Sequence, residues 1–329
     1  MAETEEDLPR DGGKGGDERW ERDVLARLAA ASLAEQRRAR RWGILIKLLV
    51  LLYLFALLFA ALNAPSFTAT GPGTVGKHTA VVRVDGLIAA DADANAKRLI
   101  QGLREAFEAE RSEAVMVRIN SPGGSPVQAG MIYDEMRRLR EQYPDKPLYA
   151  VTTDLCASGG YYIAAGAERI YANRASMVGS IGVRFGGFGF VETIDKLGID
   201  RRLITAGENK ALADPFLPQD PDEVEHIQSM VDRIHGQFIE AVKTGRRQRL
   251  GEDPPAELFS GLIWTGAEAL DKGLVDDLAS PSYVAREVVG AEKMIDYTPR
   301  KDFFQRFSER VGAAIAETER AEALVPNLR

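Results

Sequence analysis

Apolar residues form one long uninterrupted run near the N-terminus and a series of short runs after it. The long run, Ile44–Leu62, contains a single charged residue, Lys47, close to its start. A helix of this length spans about 28 Å, close to the ~30 Å hydrocarbon core of a bilayer. Four arginines at positions 37–41 precede the run, so the positive-inside rule places the N-terminus in the cytoplasm. We predict one transmembrane signal anchor over residues 42–63, with the rest of the chain across the membrane.

The segments around this anchor are polar. Residues 1–41 carry nine acids in the first 23 positions and are predicted to be a charged cytoplasmic tail; Trp20–Leu33 within it fits either a short helix or a solvated linker. Residues 64–78, rich in Pro, Ser, Thr and Gly, are predicted to be a tether. A folded domain is then expected over residues 79–295, followed by a charged helical tail over residues 296–329.

Within the folded domain, short apolar runs alternate with segments of helical periodicity. The predicted strands are Thr79–Val84, Ala114–Ile119, Leu148–Thr152, Arg169–Tyr171, Val178–Val183 and Arg201–Thr205. The predicted helices are Asn95–Glu110, Pro126–Gln142, Ser158–Ala167 and Asp222–Thr244. Alternation of this kind indicates an α/β fold with a mostly parallel sheet and flanking helices, in which ligands bind at the carboxyl ends of the strands.

Composition narrows the possible functions. The chain has 329 residues and a formal net charge of −7, which argues against nucleic acid as a partner because a nucleic-acid site needs a basic face. A single cysteine, Cys156, excludes an intramolecular disulfide and a cysteine-rich zinc site. Only three histidines are present, and we expect neither a metal nor a cofactor.

Two glycine-containing turns follow predicted strands. The first, at residues 120–124, reads Asn-Ser-Pro-Gly-Gly, and consecutive glycines let backbone N–H groups approach an oxyanion or a phosphate. It lacks the Lys-Ser/Thr pair of a phosphate-binding Walker loop, and an ordinary turn is equally compatible with it. The second turn places Ser158 before Gly159 and Gly160 at the start of a helix. Ser158 is there either a nucleophile beside an oxyanion donor, the Gly159 N–H, or an ordinary helix N-cap.

A serine nucleophile needs a base, and the histidines are poorly placed to supply one. His78 lies at the start of the first strand, and His226 and His235 are expected to face solvent on an amphipathic helix. Lysine can act as a base when burial lowers its pKa from about 10.4 toward neutrality. Lys210, which follows a predicted strand and turn, is the best-placed lysine, although most lysines are surface groups.

With these motifs, the sequence resembles a known family, signal peptide peptidase A (protease IV) in its short single-domain form. The resemblance covers roughly residues 78–290. Its most specific stretches are residues 120–124, 157–162 and 178–183. It implies the fold shared by the Clp protease subunit and the crotonases. Only one copy of the catalytic motif is present, so a single protomer would supply the whole site.

The resemblance also implies residue roles. Ser158 matches the nucleophile and Lys210 the general base of a Ser–Lys dyad, and Ser180 would orient Lys210. Gly123 and Gly159 match the residues that form the oxyanion hole. The function that the resemblance implies is that of a membrane-anchored serine endopeptidase, which degrades cleaved signal peptides and other short apolar peptides.

The resemblance implies an assembly and a location as well. We expect a closed homo-oligomeric ring, octameric as in the short-form family, with Asp222–Thr244 and Leu258–Trp264 able to bury area between subunits. The catalytic domain would lie on the periplasmic side of a bacterial inner membrane. Alternatives are a related peptidase that processes one membrane protein, a catalytically idle scaffold, and a crotonase-like acyl-CoA enzyme.

Overall fold

The computed structural model describes residues 40–57 and 76–299 and divides the chain into two compact units, Met1–Gly71 and Pro72–Arg329. In the first unit, residues 40–57 are helical. No helix within the described residues is both long and apolar enough to cross a membrane. The end of the predicted anchor, the predicted N-terminal tail up to residue 39, most of the tether, and the C-terminal tail from residue 300 lie outside the described residues.

The second unit is built on one eight-stranded sheet. Its strands are β1 (His78–Asp85), β2 (Ser112–Ser121), β3 (Leu148–Ala157), β4 (Arg169–Ala172), β5 (Met177–Gly179), β6 (Ile263–Thr265), β7 (Asp277–Leu278) and β8 (Met294–Asp296). They are arranged in the order β6-β5-β3-β2-β1-β8, with β4 paired to β3 and β7 paired to β4. Every pairing is parallel except that of β5 with β6. The predicted α/β class with a mostly parallel sheet is confirmed.

Helices connect and flank these strands. They are α1 (Ala96–Glu108), α2 (Pro126–Gln142), α3 (Gly159–Ala164), α4 (Val191–Lys196), α5 (Pro221–Leu250) and α6 (Gly266–Asp271), with shorter helical turns at Ala256–Phe259, Pro281–Tyr283 and Val284–Val288. Local chemistry sets their starts, because side-chain oxygens at the N-cap accept from otherwise unpaired backbone N–H groups. Asn95 caps α1, Ser125 caps α2, and Thr265 forms a reciprocal capping box with Glu268 at α6.

Apolar residues bury both faces of the central strands. The larger cluster joins β1, β2 and β3 to α1 and α2 through side chains such as Leu103, Phe107 and Met136. A smaller cluster combines other residues of the same strands, such as Met116, with Val284 from the helical turn Val284–Val288. Burial on two sides explains why these strands are almost continuously apolar.

The third strand is longer than predicted, and its extra length places the second glycine turn. Residues 149–151 of β3 pair with β4, and residues 155–157 pair with β5. Because β5 takes over from β4 as the neighbouring strand, β3 continues to Ala157 and ends immediately before Ser158.

One predicted strand is wrong. Arg201–Thr205 is irregular and exposed along its whole length, because no neighbouring strand accepts its backbone hydrogen bonds and no face of it is buried. The segment Leu258–Trp264 also differs from expectation. It packs Leu258, Phe259 and Trp264 into the core of its own subunit, while Leu262 and Ile263 stay about half exposed.

A charged group is buried where α1 packs against α2. The Glu135 carboxylate accepts from Arg104 Nε and from Arg138 Nη2, each at 2.7 Å. These bonds, Arg138's foremost, outweigh the effect of burial and lower the pKa of Glu135 from 4.5 to about 2. The interaction therefore contributes stability above pH ~4.5 that is lost as the pH falls toward the folded-state pKa.

We predict that Glu135→Gln lowers the free energy of unfolding by about 2 kcal/mol at pH 7, since hydrogen bonds to charged groups are lost. The difference from wild type should shrink as the pH falls from 4.5 toward 2. Urea denaturation at several pH values measures it, with Glu141→Gln, an exposed carboxylate on the same helix, as the control. A pH-independent difference would show that only packing was changed.

Candidate active site

Ser158 occupies a strained backbone position between β3 and α3. Its φ is 51° and its ψ is −122°, a sparsely populated combination that costs a non-glycine residue about 1–3 kcal/mol. The surrounding backbone fixes it there: its N–H donates to Gly179 O and its C=O accepts from Tyr162 N–H, both at 2.9 Å. Although Ser158 is the N-cap residue, its side chain makes no capping hydrogen bond. The hydroxyl is therefore not used to stabilise the helix, which was the alternative to a nucleophile.

The first glycine turn packs directly against Ser158. A Cβ added to Gly123 (φ +96°) would lie 2.7 Å from Ser158 Cβ and 2.7 Å from the Gly159 nitrogen. A Cβ added to Gly124 (φ +146°) would overlap Ile88 O. Both positions therefore need glycine, one for the approach to Ser158 and the other for the approach to Ile88.

The hydrogen bonds of this turn leave one N–H unbonded. Gly123 N–H donates to Ser121 Oγ at 3.1 Å, and Ser125 N–H donates to Ile88 O at 2.8 Å. Pro122 has no N–H, and the Gly124 N–H has no hydrogen-bond partner in the described part of the chain. Gly123, the donor implied by the resemblance, thus has its N–H engaged.

Gly159, which packs against Gly124, has a second N–H without a hydrogen-bond partner in the described part of the chain. Gly159 is the first residue of α3, so its N–H has no intrahelical acceptor. A Cβ added to Gly159 would lie 3.3 Å from the Gly124 nitrogen. Two unbonded N–H groups in turns that pack against a serine are the elements needed to stabilise the oxyanion of an acyl-transfer reaction.

Ser180 also lies close to this centre. It follows β5, directly after Gly179, the residue whose carbonyl accepts from Ser158 N–H. Its own φ is positive, at 53°, and its N–H donates to Leu262 O at 2.6 Å. The backbone therefore places Ser180 next to the residue that accepts from Ser158 N–H, and the predicted role of Ser180 in orienting Lys210 stays a prediction.

Lys210 is not joined to this group. It lies in an irregular segment between α4 and α5, and it is exposed. Its N–H donates to Gly207 O at 3.2 Å, and its ammonium group has no hydrogen bond or ion pair within residues 76–299. The structure thus groups Ser158, Gly159, Gly123 and Ser180 and leaves Lys210 apart from them.

Other candidate nucleophiles and bases are accounted for by packing. Cys156 is fully buried, and desolvation raises the pKa of its thiol to about 12, so it is unreactive. His235 does not face solvent as predicted: it is half-buried, and Nε2 lies 3.2 Å from Ile181 O. Among the described residues no cluster of His, Cys, Asp and Glu could hold a metal ion.

The sequence patterns do not predict the positions of three residues around the site: Ser121, Gly124 and His235. The signal for Gly124 was present, since the turn has two consecutive glycines and only one of them packs against Ser158. Ser121 could have been noticed as a polar residue that ends a fully buried strand. The position of His235 depends on the path of residues 181–220, which local sequence does not determine.

Comparison with known proteins agrees with this geometry. A family model described as peptidase family S49 matches residues 140–294, a range that includes Ser158, Ser180 and Lys210. The chain is 33% identical over 204 residues to a putative protease of Synechocystis sp., covering 62% of this chain and 70% of that protein. It is 28% identical over 234 residues to a putative signal peptide peptidase SppA of Enterococcus faecium, covering 69% of this chain and 67% of that protein.

A further relative has a different name. The chain is 38% identical over 221 residues to a protein of Brucella abortus named Na(+)/H(+) antiporter NhaA, covering 67% of this chain. The aligned part is only 30% of that protein, so the chain spans less than a third of its length.

The strained serine, the adjacent unbonded N–H groups and the extent of these matches lead to one conclusion: the chain belongs to peptidase family S49, the family of signal peptide peptidase A.

Proposed function

We propose that the protein is a membrane-anchored serine endopeptidase that uses a Ser158–Lys210 dyad to degrade cleaved signal peptides and other short apolar peptides. The observation that carries the proposal is the position of Ser158. Its hydroxyl makes no cap bond, its backbone is held in a strained conformation, and two unbonded N–H groups lie beside it. Family membership supports a serine peptidase of the signal peptide peptidase kind.

The chemistry follows from these groups. The uncharged amine of Lys210 takes the proton of Ser158, and Oγ attacks the peptide carbonyl carbon, forming a C–O bond. The N–H groups of Gly159 and Gly124 stabilise the oxyanion. The C–N bond then breaks, and the leaving amine takes the proton back from Lys210. Water hydrolyses the resulting ester and regenerates Ser158.

The dyad requires that Lys210 reach Ser158 and lose contact with water, because desolvation lowers the pKa of a lysine toward neutrality. In the described chain the segment around Lys210 exposes large apolar side chains, among them Phe188 (82% exposed) and Ile204 (98% exposed). Such a surface is typical of an interface. We propose that copies of this chain assemble into a closed ring, expected to be octameric, and that this assembly covers the segment and completes the site.

The proposed anchor is residues 42–63. Between Leu48 and Phe55 every side chain is apolar or aromatic and more than half exposed, and Arg40, Arg41 and Lys47 lie at the start of this helical segment. A lipid environment would cover these side chains, and the basic end would stay in the cytoplasm. The catalytic domain would then lie on the periplasmic side of a bacterial inner membrane, where cleaved signal peptides remain in the same bilayer.

Ser158→Ala and Ser158→Gly should both abolish peptide cleavage, since each removes the nucleophile. The two variants should differ in stability, because glycine adopts a positive φ without the penalty that alanine has. We expect Ser158→Gly to be more stable than Ser158→Ala by about 1 kcal/mol, measured by urea denaturation. Cleavage by either variant would contradict the assignment of Ser158 as the nucleophile. Equal stability of the two variants would contradict the backbone strain at Ser158.

Lys210→Arg should be as inactive as Lys210→Ala, although arginine keeps the positive charge, because arginine stays protonated and cannot act as a base. Both variants should lose at least about 100-fold in kcat/KM on a fluorogenic peptide. Lys196→Ala is the control, since Lys196 is a nearby exposed lysine on α4 that pairs with Glu192. Substantial turnover by Lys210→Arg would exclude the dyad.

The double substitution Leu52→Arg with Phe55→Arg should release the protein from membranes. Each arginine near the centre of an apolar helix costs about 2.5–3.5 kcal/mol of insertion free energy. Lys47→Leu, which only removes a charge, should leave the protein in the membrane fraction. Fractionation followed by alkaline carbonate extraction measures both, and a wild-type protein that is fully extracted would contradict the anchor.

A further inference from the structure

Ser121 lies at the end of β2, immediately before the glycine turn, and is fully buried. Its hydroxyl has two hydrogen bonds. It donates to Gly86 O at 2.6 Å, which ties it to the end of β1, and it accepts from Gly123 N–H at 3.1 Å. The side chain therefore joins the neighbouring strand to the turn that packs on Ser158.

The bond from Gly123 determines which N–H the turn can offer to a ligand. Gly123 is held on both sides, since its C=O accepts from Ile88 N–H at 2.9 Å while its N–H is bonded to Ser121. Ile88 O in turn accepts from Ser125 N–H. With these bonds in place, Gly124 is the position in residues 122–125 whose N–H has no partner in the described chain.

Ser121 also contacts the second turn. A Cβ added to Gly160 would lie 3.2 Å from Ser121 O and 3.4 Å from Ser121 Cβ, so the start of α3 packs closely on this residue. Ser121 pairs in register with Cys156, two residues before the nucleophile. One small buried residue thus contacts both turns between which the oxyanion would sit.

We propose that Ser121 is a positioning residue for the oxyanion hole: its hydroxyl holds Gly123 so that the Gly124 N–H is presented beside Gly159 and Ser158. This inference rests on the proposed peptidase function and adds a residue to it. Ser121 itself does not touch the substrate. Its effect should therefore appear in the transition state, where charge develops on the carbonyl oxygen, and not in substrate binding.

Ser121→Ala in the full-length protein tests the proposal. Losing one oxyanion donor costs about 100–1,000-fold in kcat, so displacing a donor should cost about 10–100-fold, with KM changed less than about twofold. A peptide aldehyde, whose tetrahedral adduct places an oxygen in the hole, should bind more weakly by a factor similar to the loss in kcat. A purely structural role would not link these two quantities.

Ser112→Ala is the matched control. Ser112 is a buried serine at the opposite end of the same strand, and its hydroxyl also donates to a backbone carbonyl, that of Ala114 at 3.1 Å. This variant should keep the wild-type kcat and aldehyde affinity. If Ser121→Ala does not fold, Ser121→Cys supplies the test, because a thiol of similar shape is a weaker hydrogen-bonding group and should give an intermediate loss.

The outcomes separate the two levels of the proposal. A wild-type protein without Ser158-dependent turnover would overturn the peptidase function and this inference together. With an active wild type, the inference fails if Ser121→Ala matches Ser112→Ala, if KM rises in place of a fall in kcat, or if aldehyde affinity is unchanged. A joint loss of kcat and aldehyde affinity confined to the Ser121 variants supports it.

Discussion

The site depends on the contact between two backbone turns. Gly123 approaches Ser158 so closely that a single added carbon would lie 2.7 Å from both Ser158 Cβ and the Gly159 nitrogen. That distance leaves no room for a side chain on the first turn. Because the turns end neighbouring parallel strands, β2 and β3, the register of the sheet brings them to the same edge. This packing makes neighbours of Gly124 and Gly159, whose N–H groups have no hydrogen-bond partner among the described residues.

Backbone strain at Ser158 is a second consequence of the same arrangement. Ser158 and Ser180 both have positive φ values, and the Ser158 N–H donates to the carbonyl of the residue just before Ser180. The surrounding β-structure is buried and able to hold both residues in unfavourable conformations. Residues with strained backbones cluster at active sites and ligand-binding sites, where the surrounding structure holds them in place.

Much of this could be read from the sequence, for identifiable reasons. The helix Pro126–Gln142 has the bounds that were predicted, because Ser125 and Pro126 are strong start signals that act locally. Ser158 and Gly159 stand out in the sequence because a serine between a strand and two glycines is a local pattern. The end of β3 was missed, since it depends on β5 replacing β4 as the neighbour. The small strands β6, β7 and β8 were also missed; they are only two or three residues long and are defined by their partners.

The position of Lys210 shows the limit of local reasoning. Its sequence context suggested a base next to a strand, but the strand Arg201–Thr205 does not form, and the lysine is exposed. A base distant in sequence can be placed only by tertiary or quaternary contacts, which short patterns do not encode. The same holds for the proposed role of Ser121, which rests on a hydrogen bond to a residue 35 positions earlier as well as on one to a residue two positions later.

The most direct test of the central claim is to identify the residue that forms a covalent bond with a serine-reactive probe. The full-length protein, kept in its membrane, would be treated with a fluorophosphonate, digested and mapped by mass spectrometry. A serine activated between the two turns predicts one phosphonylated peptide, with the adduct on Ser158. No adduct, or an adduct on Ser180 or another serine in its place, would contradict the account.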